Sequence, residues 1–175
     1  MFSKLSAWVS QIAREVFWDE IHRVRFDASL DKQRDQHPYI KVKLDDGATL
    51  PVRAHDTDAG ADICCVEDFI VPAHGSVNIG TGVHVQLPEN TVGMVKSKSG
   101  LNVKSCITVE GVIDEGYSGE IRLRVYNHGE YDYAFVAGDK VTQLVVMPVT
   151  YPTYVEVAEI DAGERGDAGF GSSGR

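Results

Sequence analysis

The sequence predicts an all-β fold, a jelly-roll-like β-barrel or sandwich, with an amphipathic helix before it and a flexible arm after it. Three observations carry this. From Tyr39 onward apolar and polar residues alternate at period two, as in half-buried strands. The alternating runs are short and separated by turn residues, as in sandwiches and barrels. All 17 glycines lie between Gly47 and Gly174 and the first proline is Pro38, so the opening segment contains neither helix breaker.

In that opening segment Leu5, Trp8, Val9, Ile12 and Val16 fall on one face of a helix, and Ser3 is placed to cap it. Charges of both signs continue to Asp35, and His37-Pro38 ends the segment. Residues 1–37 therefore read as a helical extension and linker. Such a helix packs on its own domain or a neighbouring subunit, binds a protein partner, or stays loose; packing is the preferred reading. Its polar face is not enriched in Lys and Arg, which argues against membrane-surface binding.

Residues 38–160 read as the β domain. Ile40, Val42 and Leu44 alternate with Lys41 and Lys43. Val77 and Ile79 form a second run, and Val83, Val85 and Leu87 a third. Ile121, Leu123 and Val125 alternate with Arg122, Arg124 and Tyr126. Val141 to Val149 is mostly apolar, which predicts a strand buried on both faces. Residues 161–175 are rich in Gly, Ser and charge with a single aromatic, Phe170, the composition of a flexible arm.

Bulk properties narrow the function classes. A chain of 175 residues suits one domain with an ordinary core. A net charge of −9 argues against direct nucleic-acid binding. No stretch is apolar enough to span a membrane, and Gln11, Arg14 and Glu15 interrupt the core a signal peptide needs. Cys64, Cys65 and Cys106 make neither a disulfide framework nor a Cys-x-x-Cys zinc site. They read as small buried hydrophobes, and the chain as cytoplasmic.

Five segments carry chemistry. Gly111-Val112-Ile113-Asp114-Glu115-Gly116-Tyr117-Ser118-Gly119 reads as a β-hairpin tip. Asp114 follows two branched apolar residues, so it is expected to be partly sheltered, as suits a general base for water; alone, an aspartate that merely holds its turn is the simpler account. Lys96-Ser97-Lys98-Ser99-Gly100-Leu101-Asn102 reads as a turn offering donors and charge to phosphate, or as a solvated basic loop. Arg165-Gly166-Asp167-Ala168-Gly169-Phe170-Gly171-Ser172-Ser173-Gly174 combines a phosphate clamp, glycines that permit close backbone approach, hydroxyl donors and an aromatic to stack on a base. It lacks the Gly-Lys-Ser/Thr ending of a P-loop. Asp56-Thr57-Asp58-Ala59-Gly60-Ala61-Asp62 is acid-rich but lacks the EF-hand spacing; a Mg²⁺-associated role stays open. In Gly138-Asp139-Lys140-Val141-Thr142-Gln143, Gln143 is a polar residue in an apolar run and needs a hydrogen-bond partner.

Taken in order, these segments resemble the five motifs of the dUTPase family: Asp58 to Ile63, Lys98 to Leu101, Gly111 to Gly119, Gly138 to Leu144, and Arg165 to Gly174. The resemblance covers roughly residues 39–175. It implies a homotrimer hydrolysing dUTP at sites between subunits, each completed by another subunit's C-terminal arm. It implies that Asp114 activates the water attacking the α-phosphorus and that Tyr117 packs on the deoxyribose. Gly111, Val112 and Ile113 would read uracil through their backbone. Lys98, Ser99, Gly100 and Gln143 would face the phosphates. Arg165, Ser172 and Ser173 would hold the outer phosphates, with Phe170 over the base and Gly169 and Gly171 beside it. Mg²⁺ would ride on the triphosphate, with Asp62 holding its waters. Two positions depart from the family: Lys98 replaces an arginine and loses its bidentate fork, and Ala168 replaces a glycine.

Two other functions fit parts of the pattern. A dCTP deaminase shares this fold but needs a glutamate on the strand after the hairpin; Ile121 to Asn127 has no acid beyond Glu120 at its start. A nucleotide-gated binding or regulatory module would work through the N-terminal helix.

Overall fold

The computed structural model describes residues 39–161, 163 and 166. The expected N-terminal helix and most of the C-terminal arm lie outside them. The described chain is mostly β. Its strands are β1 (Lys41–Leu44), β2 (Gly60–Cys64), β3 (Phe69–Val71), β4 (Ser76–Gln86), β5 (Thr91–Ser97), β6 (Ile107–Ile113), β7 (Glu120–Asn127), β8 (Tyr133–Phe135) and β9 (Lys140–Pro148). One short helix, α1 (Ser99–Ser105), joins β5 to β6. Seven strands form one antiparallel sheet in the order β1-β4-β7-β6-β5-β9-β2, and β3 pairs with β8.

Alternation builds the sheet. In β7, Ile121, Leu123, Val125 and Asn127 point inward while Arg122, Arg124 and Tyr126 point out. The two runs expected around Val77 and Val83 are one strand. Thr81 carries the inward pattern across Gly80 and Gly82, its hydroxyl donating to the Ile121 carbonyl at 2.7 Å. A register shift between Gly80 and His84 bends the strand there. A flat sheet would set β4 and β2 about 24 Å apart at the usual strand spacing. Yet Ile79, Val83 and Val85 share one core with Ile63, so the sheet curls around a single apolar centre.

The strand expected to be buried on both faces is buried only at its start. Val141, Thr142 and Leu144 are inside, while Met147 and Pro148 are exposed. The reason is position: β9 runs beside β2 for its first half only and then extends past the core. Cys65 is buried as expected, but Cys64 is only partly buried and Cys106 is exposed at the end of α1.

Asn127 closes one end of the core. It is 2% exposed. Its amide donates to the carbonyls of Val71 and Tyr131 at 3.0 and 2.9 Å, and its oxygen accepts the Gly129 N–H. Asn127→Ala leaves these backbone groups unpaired. The expected cost is about 2–3 kcal/mol, measured as a lower chemical-denaturation midpoint with an unchanged m-value.

Candidate functional site

β6 divides its pairing between two neighbours. It pairs with β7 only from Ile107 to Val109, then with β5 from Glu110 to Ile113. β7 meanwhile continues along β4. The two arms of the hairpin therefore separate, and the backbone of Glu110–Ile113 is left without a ladder partner on the side facing β7. The free N–H and C=O groups on this edge are those of Glu110 and Val112, because Val109 turns its own toward Ser97 of β5 and Gly111 and Ile113 follow it by alternation. Val112 and Gly111 are accessible and Ile113 is buried, anchoring the strand.

Asp114 stands at the end of that edge. Contrary to the sequence expectation it is exposed in the single chain, because only Ile113 before it turns into the core, Val112 faces out, and the turn projects beyond the sheet. The Tyr117 N–H closes the turn on the Asp114 carbonyl at 3.0 Å. Glu115 braces the turn from below: its Oε2 accepts the Asn90 N–H at 2.8 Å and the Tyr151 hydroxyl at 2.7 Å. Beside it lies an open depression of about 590 Å³ lined by Asp114, Val112, Thr91 and Tyr151 among others. Tyr117 is 43% exposed, and its hydroxyl donates to the Glu120 carbonyl at 2.8 Å. Its ring lies so close over Gly119 that a Cβ there would stand 2.5 Å from the phenol oxygen. Glycine at that position lets the ring lie flat and present one face.

The second group of residues gathers at the other end of β5. Register places Lys96 opposite Gln143 and Gln143 opposite Asp62. The Gln143 amide donates to the Ser97 carbonyl at 3.1 Å, the partner that the sequence demanded. A Cβ on Gly60 would stand 2.2 Å from the Gln143 amide oxygen, so only glycine leaves this side chain in place. The expected Lys96–Asn102 turn is instead the end of a strand and a helical turn: Lys98 is the N-cap residue of α1. Ser99 and Gly100 thus occupy its first turn, whose N–H groups have no intrahelical acceptor. No described residue packs over Gly100.

Asp62 is 8% exposed and lies between two cations. Lys98 Nζ bonds its Oδ1, and Lys140 Nζ stands 2.8 Å from its Oδ2. Burial pushes the carboxyl up, but the hydrogen bonds from Lys140 and Lys98 outweigh it and hold it below the ordinary carboxylate range. Lys140, raised by the same contact, was not singled out from the sequence, because it lies 78 positions from Asp62 and only the β2–β9 pairing joins them. The surroundings do not fit the expected role of Asp62 in holding a metal's waters, since both oxygens face ammonium groups. Among the described residues no three His, Cys, Asp or Glu side chains gather to hold a metal ion.

The structure thus brings Lys98, Ser99, Gly100, Gln143 and Asp62 together. It brings Gly111, Val112, Ile113, Asp114 and Tyr117 together elsewhere. Asp114 follows the Ile113–Gly93 pair and so stands roughly 20 Å along β5 from Lys98 at the usual rise per residue, whereas Gly111 pairs with Val95, about 10 Å from Lys98. Arg165, Gly169, Phe170, Gly171, Ser172 and Ser173 lie outside the described residues.

The dUTPase family model matches residues 46–174. The chain belongs to the dUTPase family. It is 43% identical over 139 residues to the deoxyuridine 5′-triphosphate nucleotidohydrolase of Clostridium acetobutylicum, covering 77% of this chain and 96% of that one. It is 41% identical to that of Paramecium bursaria Chlorella virus 1, covering 75% and 94%. Among solved structures, the dUTPase of Staphylococcus bacteriophage 80alpha with dUpNHpp aligns at TM-score 0.75 and 31% identity, covering 79% of this chain and all of that one. A mutant dUTPase from phage phi11 of S. aureus, with a coordinated structural Mg(II) ion, aligns at TM-score 0.65 and 29% identity, covering 70% and 98%. Membership accounts for why residues distant along β5 form one motif set.

The Asp62 pairs have a pH signature. A lowered carboxyl pKa contributes stability that is complete above the unfolded value of about 4 and is lost as pH falls through the folded one. Asp62→Asn should therefore cost stability at neutral pH, and the gap to the native chain should narrow as pH drops below about 4. Denaturation midpoints of both chains across acid pH measure it; a gap independent of pH contradicts the assignment.

Proposed function

We propose that this chain hydrolyses dUTP to dUMP and pyrophosphate, limiting uracil in DNA and supplying dUMP for dTMP synthesis. The observation that carries this is the opened hairpin, with an unpaired backbone edge leading directly to an exposed carboxylate and an aromatic face. Val112, held between Gly111 and Ile113, offers its backbone edge to uracil. A substrate whose donors and acceptors do not match would leave those groups unpaired, so cytosine is rejected. Tyr117 covers the sugar and leaves no room for a 2′-hydroxyl. Asp114 accepts a proton from water; the water oxygen bonds the α-phosphorus, and the bond to the bridging oxygen breaks, releasing pyrophosphate.

The phosphates lie against the other group. Lys98 supplies charge, Ser99 and Gly100 supply N–H groups from the start of α1, and Gln143 adds an amide. Asp62 is a positioning residue here: it holds Lys98 and Lys140 in place. Mg²⁺ bound by the triphosphate supplies further charge neutralisation. Arg165, Ser172 and Ser173 clamp the outer phosphates, and Phe170 covers the base between Gly169 and Gly171. Asp114 must reach the α-phosphorus, yet it stands roughly 20 Å along β5 from Lys98 and Ser99, too far for both to serve one triphosphate within one chain. The site is therefore shared between copies in a homotrimer, with jelly-roll-like domains of residues 38–160 exchanging arms of residues 161–175. Residues 1–37 pack on their own domain or a neighbouring subunit, and the compartment is the cytoplasm.

Pyrophosphate release from dUTP, dCTP, dTTP and UTP tests the activity. Release from dUTP alone is expected, falling by about 10²–10⁴ in Asp114→Asn. Ammonia release from dCTP would instead identify a deaminase, and no release from any nucleotide would identify a binding module. Mixing tests the shared site. Asp114→Asn and Lys98→Ala, each inactive, should recover roughly a quarter of full activity when refolded together at equal amounts, the fraction of sites drawing both residues from unmutated positions. No recovery would place both residues in one chain's site.

A further inference from the structure

The turn carrying Asp114 and Tyr117 is held on its far side by a residue outside all five motifs. His84 lies on β4, opposite Glu120 of β7 and opposite Lys43 of β1. Its Nε2 stands 2.9 Å from Asp45 Oδ2, and its Nδ1 stands 3.2 Å from the Ser118 carbonyl oxygen. A carboxylate and a carbonyl can only accept. A neutral imidazole has one N–H and serves one of them; both contacts together require the imidazolium, donating from both nitrogens. The side chain is 17% exposed, while its two partners lie at the surface.

We propose that His84, as an imidazolium, is a positioning residue for the substrate turn: it ties the Ser118 carbonyl to Asp45 on the far strand and so fixes where Tyr117 and Asp114 stand. This rests on the reading of that turn as the uracil and sugar site. Among the described residues, the exit side of the turn is otherwise tied by the Tyr117 hydroxyl on the Glu120 carbonyl and by the Glu120 carboxylate on the Gly82 N–H, whereas Glu115 secures the entry side.

The neighbouring charges decide the pH range. Asp45 faces His84 and also accepts from Lys43 Nζ at 3.1 Å. Glu120 is turned away: its Oε1 accepts the Gly82 N–H at 2.9 Å, and its Oε2 meets Arg122 at 3.1 Å. The Asp45 hydrogen bond and then the Ser118 carbonyl raise the His84 pKa above the ordinary imidazole value, against burial and the Lys43 charge. The tie is therefore complete below the ordinary imidazole range and is lost as pH rises through the raised value. The remaining proton then stays with the carboxylate, the stronger acceptor. The Nδ1 lone pair faces the Ser118 carbonyl, and the turn loosens.

The test is kcat and KM for dUTP from mildly acidic to alkaline pH in the native chain, His84→Gln and Asp45→Asn, with the His84 ring titration followed by NMR. The native KM should rise several-fold across the His84 titration while kcat changes less. His84→Gln should start with KM raised roughly 3- to 10-fold and lose that step. Asp45→Asn should move the step to lower pH. Coincident KM profiles for the native chain and His84→Gln, or a His84 ring with an ordinary imidazole pKa, overturn the proposal. Absence of dUTP hydrolysis in the native chain overturns the functional reading instead, and the ring titration then still decides whether the tie exists.

Discussion

Everything distinctive here depends on one constraint: a strand has two edges, and β6 gives them to different partners along its length. Ladder hydrogen bonds from Ile107 to Val109 hold it to β7, and those from Glu110 onward hold it to β5. The Ser97 hydroxyl marks the handover. It donates to the Val109 carbonyl and accepts the Val109 N–H, at 3.0 and 2.9 Å, doing with a side chain what the ladder does elsewhere. Beyond that point the curl of the sheet carries β7 away with β4. Unpaired backbone is costly when buried, so an open edge persists only where water or a ligand can satisfy it. The accessible Gly111–Val112 segment meets that condition.

The same geometry explains which parts were legible in the sequence. The alternation of Ile121, Leu123 and Val125 gave β7 directly, because one face of that strand meets the core along its whole length. β4 was seen as two runs, because the buried hydroxyl of Thr81 replaces an apolar residue and two glycines flank it. α1 was read as a turn, because seven residues with no buried side chain leave no helical period. The apolar composition of β9 suggested burial on both faces along its whole length, but composition does not say where a neighbouring strand stops. Five motifs in order named the site residues. Only the strand order showed that they form two groups. The Asp62–Lys140 and His84–Ser118 contacts join positions far apart in the chain, and no local pattern signals them.

The two groups also differ in how they hold their shape. Around Asp62, charge does it: a buried carboxylate would be costly alone, and Lys98 and Lys140 offset that cost while being held themselves. A pair of ammonium groups fixed on one anion leaves a local excess of positive charge at a sheet end, on a chain whose net charge is −9. That arrangement suits a polyanion that must be attracted locally and repelled elsewhere. It also gives the proposed phosphate-facing role of Lys98, where the family carries an arginine, a physical basis. A flexible point charge loses the fork of a guanidinium, but anchoring by Asp62 restores a fixed direction.

Around Asp114, hydrogen bonds to the backbone do the holding. Glu115 ties the turn to Asn90 and Tyr151, Tyr117 ties itself to Glu120, and His84 ties Ser118 to Asp45. None of these anchors uses the Asp114 carboxylate, which stays exposed for water. The division is physically consistent. A general base must keep its lone pairs free, so its position has to be set through the residues on either side of it. A phosphate-facing lysine can be positioned through its own charge, because one ammonium group has donors to spare for both its anchor and its ligand.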